Sequence, residues 1–101
     1  MEKKEVIIDL DEMNESNLML MGAQIRYMLD AMFGGDPITA IIKGERRKVE
    51  AFGKTLSSEK RYMDAYIKHG LADARTHRNA SKLKNAIGAF EKVTGLKWPV
   101  K

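Results

Sequence analysis

Arg75, Arg78 and Lys82 recur at three- and four-residue spacing inside ARTHRNASKLK, with His77 and Lys84 among them. Side chains three and four apart share one face of a helix. Three cations aligned in this way suit a bound anion, such as a nucleic-acid phosphate. The stretch also leads into a helix, where cations in the first turn oppose the helix dipole by about a few tenths of a kcal/mol at exposed positions. So small a penalty is equally compatible with a solvated loop.

A second basic cluster, KGERRK, holds Lys43, Arg46, Arg47 and Lys48 at a strand-to-helix junction. If Gly44 opens the helix, the free N–H groups and the dipole form an anion site beside these cations. The two clusters either converge into one site or face apart as solvated surfaces. Aromatic residues are few, and only Tyr62 is flanked by charge in a way that would stack on a base. Contact with nucleic acid would therefore be to backbone charge, weakly sequence-specific and sensitive to salt.

Chemistry beyond binding finds little support. GKT at Gly53 to Thr55 ends like a phosphate-binding loop, but Lys48 stands where the first glycine of GxxxxGK[ST] belongs. His69 and His77 lie eight residues apart across a glycine, with Asp64 and Asp73 as the nearest carboxylates. A zinc site needs three or four ligands in fixed geometry. These residues are expected to be structural or exposed. No catalytic set, metal site, cofactor or small-molecule substrate is expected, and the chain reads as a non-enzyme.

The elements that must position these residues follow from periodicity. EVIIDL, Glu5 to Leu10, and ITAIIK, Ile38 to Lys43, are β-branched runs that predict strands. Between them Leu18, Met21, Gly22, Ile25, Met28, Leu29, Met32 and Phe33 form a helical stripe. Asn14 or Ser16 is expected to cap this helix, Gly34 to end it in the left-handed conformation, and Asp36-Pro37 to complete the stop. Strand, helix, strand with short connections predicts a parallel βαβ unit. Two strands make a marginal sheet, which needs helices on one face or strands from another subunit. Leu20, Tyr27 and Ala31, with Gln24 between them, lie opposite the main stripe. This second side either is buried within the subunit or forms an interface with another chain.

Further on, Val49, Phe52, Leu56, Met63, Tyr66 and Ile67 share a helical face that is interrupted at Glu59 and Lys60. A bend or a break near Leu56 to Ser58 is expected, with Gly70 as the end. LADARTHRNASKL reads as a connector. A last helix follows through Leu83, Ala86, Ile87, Phe90 and Val93, capped by Asn79 or Thr76 and closed by Gly95. Leu96 and Trp98 are expected to fold back on the core. The fold class is therefore α+β and mostly helical, a short parallel strand pair packed by three to four helices.

The chain has 101 residues, 44% apolar and 32% charged, which fits one domain over 1–101. It has no cysteine, so disulfides and thiolate chemistry are excluded. Leu18 to Phe33 contains Gln24, Arg26 and Asp30 and is too short and polar to span a bilayer, so no membrane partner is expected. Residues 1–40 carry 3 basic and 8 acidic side chains, and residues 41–101 carry 15 and 6. A basic back half favours a polyanion partner, or attraction between the two parts within the fold or between subunits.

KGERRKVEAFGKTL, EKRYMDAYIKHGL and AFEKVTGLKWP together resemble small uncharacterised proteins of marine T4-like bacteriophages, over roughly the last two-thirds of the chain. The resemblance implies a phage-encoded protein, in the host cytoplasm or in the virion, and transfers no catalytic residue or ligand. The functional expectation is a non-enzymatic assembly or adaptor protein that oligomerises or docks to a protein partner. The alternative is a polyanion-binding accessory factor using the basic residues of the last two-thirds.

Overall fold

Alternation decides the two strands. In the computed structural model, which describes residues 4–35 and 37–100, β1 (Lys4–Asp9) turns Val6 and Ile8 into the core and leaves Glu5 and Ile7 exposed. β2 (Ile38–Lys43) pairs with it in parallel, with Val6 opposite Ala40 and Ile8 opposite Ile42. Leu10 extends the ladder by donating its N–H to the Lys43 carbonyl at 2.8 Å. The crossover between the strands is α1 (Leu18–Gly34). Its Met21, Ile25, Met28 and Leu29 are buried in the same core as β1.

Neither Asn14 nor Ser16 caps α1. A short 3-10 turn over Glu15–Asn17 precedes the helix, and the Ser16 hydroxyl is spent on the Asn14 side chain. The left-handed cap is Gly35, one residue later than expected. The expected stop residue Asp36 lies outside the described residues. Met32 and Phe33, expected on the buried stripe, are exposed because α1 runs past the core at its C-terminal end. Lys60 sits over the Phe33 ring there, 5.4 Å from its centroid.

α2 (Arg46–His69) is one continuous helix of 24 residues, without the expected break near Leu56 to Ser58. The polar positions that interrupt its apolar stripe have partners elsewhere in the fold. The Thr55 hydroxyl lies 2.8 Å from the Ala51 carbonyl and 3.1 Å from that of Ala86. Glu59 is only 6% exposed, and its Oε1 accepts the Trp98 indole N–H at 3.1 Å. A buried polar group with a partner lets a helix continue where its periodicity fails.

α3 (Ala74–Thr94) begins inside the expected connector and packs antiparallel along α2. Its cap is Asp73, not Asn79 or Thr76. Gly95 ends it in the left-handed conformation, as expected. The chain then folds back through Leu96 and Trp98, both buried. Trp98 meets Phe90 edge-on at 5.1 Å between ring centroids and Phe52 at 5.8 Å. Pro99 crosses α1 so closely that a Cβ on Gly22 would stand 3.2 Å from the Pro99 carbonyl oxygen. The sheet, α1 and the α2/α3 hairpin thus meet around this returning segment. The main core reaches Met63 on α2 and Ile87 on α3, and nearer the hairpin tip only Ala65, Thr76 and Leu83 are buried among the described residues. Tyr66 and Ile67, expected on the core face, are exposed for that reason.

Two outcomes test this packing. Trp98→Ala removes the ring and leaves Glu59 buried without its donor, so denaturant unfolding should show a loss of about 3–5 kcal/mol. A loss below about 1 kcal/mol would contradict a keystone role. Burial pushes the Glu59 carboxyl above its ordinary 4.5, partly offset by the Trp98 hydrogen bond. Below pH 4.5 the group is neutral in folded and unfolded chains alike. As pH rises past that point the unfolded chain ionises more readily, so stability falls. Glu59→Gln should match the parent below pH 4.5, exceed it in thermal stability at neutral pH, and flatten the pH profile.

Candidate anion-binding cleft

The short link from Gly70 to Asp73 sets the last turns of α2 beside the first turns of α3. Thr76 holds them together. It is buried, and its hydroxyl lies 2.7 Å from the Gly70 carbonyl and 3.2 Å from that of Ala65. Asp73 then settles the problem of cations at a helix start. Its Oδ1 accepts the Arg75 backbone N–H at 2.8 Å, and its two oxygens take the Arg75 guanidinium at 3.0 Å each. The guanidinium hydrogen bonds and the backbone N–H hold Asp73 well below the usual carboxylate range, and the same pairing pushes Arg75 up. A carboxylate at the cap satisfies the helix dipole before any outside anion arrives.

Beside this cap lies an open cleft of about 420 Å³. Arg61, Lys68 and His69 of α2 line one side, and Arg75, Arg78 and Lys82 of α3 the other. The α3 set climbs its helix at three- and four-residue steps, and across from it Arg61 and Lys68 stand two turns apart on α2 with Asp64 on the turn between them. Lys68 pairs with Asp64 at 3.2 Å, and Arg75 is held by Asp73. Arg61, Arg78 and Lys82 have no ion-pair partner among the described residues. The cleft can therefore offer several unpaired donors to one anionic chain. His77 is exposed on α3 and does not line it.

Arg75, Arg78 and Lys82 are thus brought together, and the KGERRK residues are not. Lys43 ends β2, and Arg46 to Lys48 open α2 at its far end. At about 1.5 Å per residue, the length of α2 separates the two clusters by roughly 30 Å. The anion place at the start of α2 is already taken. Asp11 accepts the Glu45 backbone N–H at 3.3 Å and the Lys48 ammonium at 3.1 Å, and the Lys48 bond chiefly holds its carboxyl below the ordinary range. Arg46 pairs with Glu50 at 2.9 Å, which leaves Arg47 and Lys43 exposed at that end. Gly44, at φ +145° and close against Leu10, makes the turn that brings Asp11 there.

The α2 half of the cleft, Arg61, Lys68 and His69, was missed in the sequence because helical spacing alone does not say which faces meet. The turn-by-turn match of 61, 64 and 68 with 75, 78 and 82 across Gly70 is the signal that could have found it. Tyr62 lies elsewhere, in an apolar groove with Leu29, Met63 and Ile87. No three His, Asp or Glu side chains gather at metal-binding range among the described residues.

The second side of α1 is mostly turned inward. Gln24 donates its side-chain amide to the Ile7 carbonyl at 3.2 Å, Tyr27 is half-buried beside Glu5 and Val6, and Ala31 is buried. Leu20 alone of the four is exposed. Among the described residues, no helix is long and apolar enough to cross a membrane.

Comparison of the chain with family models, curated proteins and solved structures finds no match in any of the three.

Asp73→Asn tests the role assigned to the cap. Asparagine keeps the capping oxygen but releases Arg75 into the cleft. Thermal stability at neutral pH should fall, because the ion pair is lost, while affinity for inorganic polyphosphate measured by calorimetry should rise. Unchanged affinity would mean that Arg75 does not face the ligand.

Proposed function

We propose that this protein is a non-enzymatic accessory factor that grips the phosphate backbone of a nucleic acid in the cleft at the hairpin tip. The observation that carries the reading is the cleft between α2 and α3, in which Arg61, Arg78 and Lys82 have no ion-pair partner among the described residues. Arginine suits this role because its planar fork matches two phosphate oxygens at once. Lys82 adds a point charge. Lys68 and Arg75, tied to Asp64 and Asp73, hold the rim and lend field without being free to bind bidentately.

No Phe, Tyr or Trp among the described residues lines the cleft, so it lacks the large aromatic platform on which successive bases stack. The partner is then held by its backbone, with little sequence preference. The resemblance to phage proteins fits a factor that handles nucleic acid during infection. The far cluster around Arg47 contributes only to the general field of the basic back half.

Fluorescence anisotropy with labelled single-stranded and duplex oligonucleotides tests this. About three phosphate contacts predict a slope of log K against log salt of about −2 for single strands and about −3 for duplex. Arg78→Glu with Lys82→Glu should weaken binding at least about tenfold, one factor of ten being about 1.4 kcal/mol. Arg46→Glu with Arg47→Glu should change it little. Absence of binding at low salt, or equal losses from both pairs, would refute the cleft as the site.

A further inference from the structure

The two-stranded sheet treats its edges differently. Because Leu10 donates to the Lys43 carbonyl, the groups of Thr39, Ile41 and Lys43 point toward β1, and those of Ile38, Ala40 and Ile42 point outward. The outer edge of β1 faces α1: Gln24 donates to the Ile7 carbonyl, and Ala23, Gln24 and Tyr27 line a cavity with Glu5 and Val6 of the strand. The outer edge of β2 has no partner for its backbone among the described residues. It is six residues long, β-branched, uncharged before Lys43 and free of proline. Natural edge strands are usually blunted by charge, proline or a covering element. Ala40 is exposed although it stands on the core side of the sheet, and Ile7 and Ile41 lie 48% and 37% exposed on the other side.

We propose that β2 pairs antiparallel with β2 of a second copy, centred on Ile41, to form a closed four-stranded sheet in the order β1-β2-β2-β1.

Three features of the strand select its own copy as occupant. In this register Ala40 stands opposite Ile42 of the second copy, and the large side chain fills the gap over the small one. On the outer face, the row Ile7–Ile41 continues into the same pair of the other copy. Lys43 lies beside Asp9 of its own chain and opposite Thr39 of the second, whose register neighbour is Glu5. The row therefore alternates in charge, and no like charges meet. Both outer edges of the new sheet are then β1, each with its Ile7 carbonyl held by Gln24 of α1. A two-fold contact of this kind stops at two copies instead of growing into a fibre. The surface is separate from the basic cleft, so each copy brings its own cleft.

The test uses the full chain at micromolar concentrations. Sedimentation should give twice the 11.4 kDa chain mass. Ala40→Pro removes only an outward N–H and spares the pairing with β1, so it should sediment as a folded monomer with unchanged helical circular dichroism. The chain has no cysteine, so Ile41→Cys reports on one position. Opposed non-hydrogen-bonded residues stand about 4.5 Å apart between Cα atoms, within disulfide reach, so this variant should oxidise to a covalent dimer. A monomeric parent overturns the proposal. So does a dimer that survives Ala40→Pro, or a dimer in which Leu20→Cys crosslinks and Ile41→Cys does not. If Ala40→Pro fails to fold, the parent mass and the two cysteine variants still decide.

Discussion

The two hairpin helices and the returning tail meet at one side chain. Trp98 lies between Phe52 of α2 and Phe90 of α3, and its N–H satisfies the buried Glu59. The next residue, Pro99, presses on α1 at Gly22. α2 and α3 pack closely along each other, but the βαβ unit joins them chiefly through side chains and this returning segment. The indole on the hairpin and Pro99 on α1 therefore tie the hairpin to the βαβ unit. Beyond Met63 and Ile87 the hairpin is held by its own contacts, with Ala65, Thr76 and Leu83 buried and the Thr76 hydroxyl against the Ala65 and Gly70 carbonyls.

The two basic clusters show how similar composition leads to different surfaces. At the start of α2 the protein supplies its own anion, Asp11, and a neighbouring glutamate takes Arg46. At the start of α3 it supplies Asp73, but only Arg75 is consumed there. The antiparallel neighbour then adds Arg61 opposite Arg78 and Lys82, and like charges gather in one cleft. Such crowding is unfavourable for the chain alone and becomes favourable when polyphosphate neutralises it. The two stretches differ in uncompensated charge rather than in the number of their cations.

Much of the architecture was legible in the sequence. Strong β-branched runs gave both strands, a 3.6-residue stripe gave the crossover helix, and LKWP pointed to a tail that returns to the core. What failed were positions settled by packing or by a side-chain partner, such as the exposed Met32, Phe33, Tyr66 and Ile67 at element ends. Glu59 looked like a break in α2 because its donor, the Trp98 indole, is more than thirty residues away. Asp73 was overlooked as a cap, and Thr76 looked like a cap although it is a buried staple between helices. Half of the cleft was visible as 75, 78 and 82. The other half depends on which face of α2 meets α3, and that is decided by packing rather than by spacing.

The central claim is that the hairpin tip, and not the start of α2, is where phosphate is held. Nuclear magnetic resonance of the guanidinium and ammonium side chains during titration with a short oligonucleotide tests it most directly. The account predicts that Arg61, Arg78 and Lys82 shift together and saturate together, while Arg46 and Arg47 stay near their free positions. Shifts spread evenly over all the exposed cations, or concentrated at Arg46 and Arg47, would contradict it.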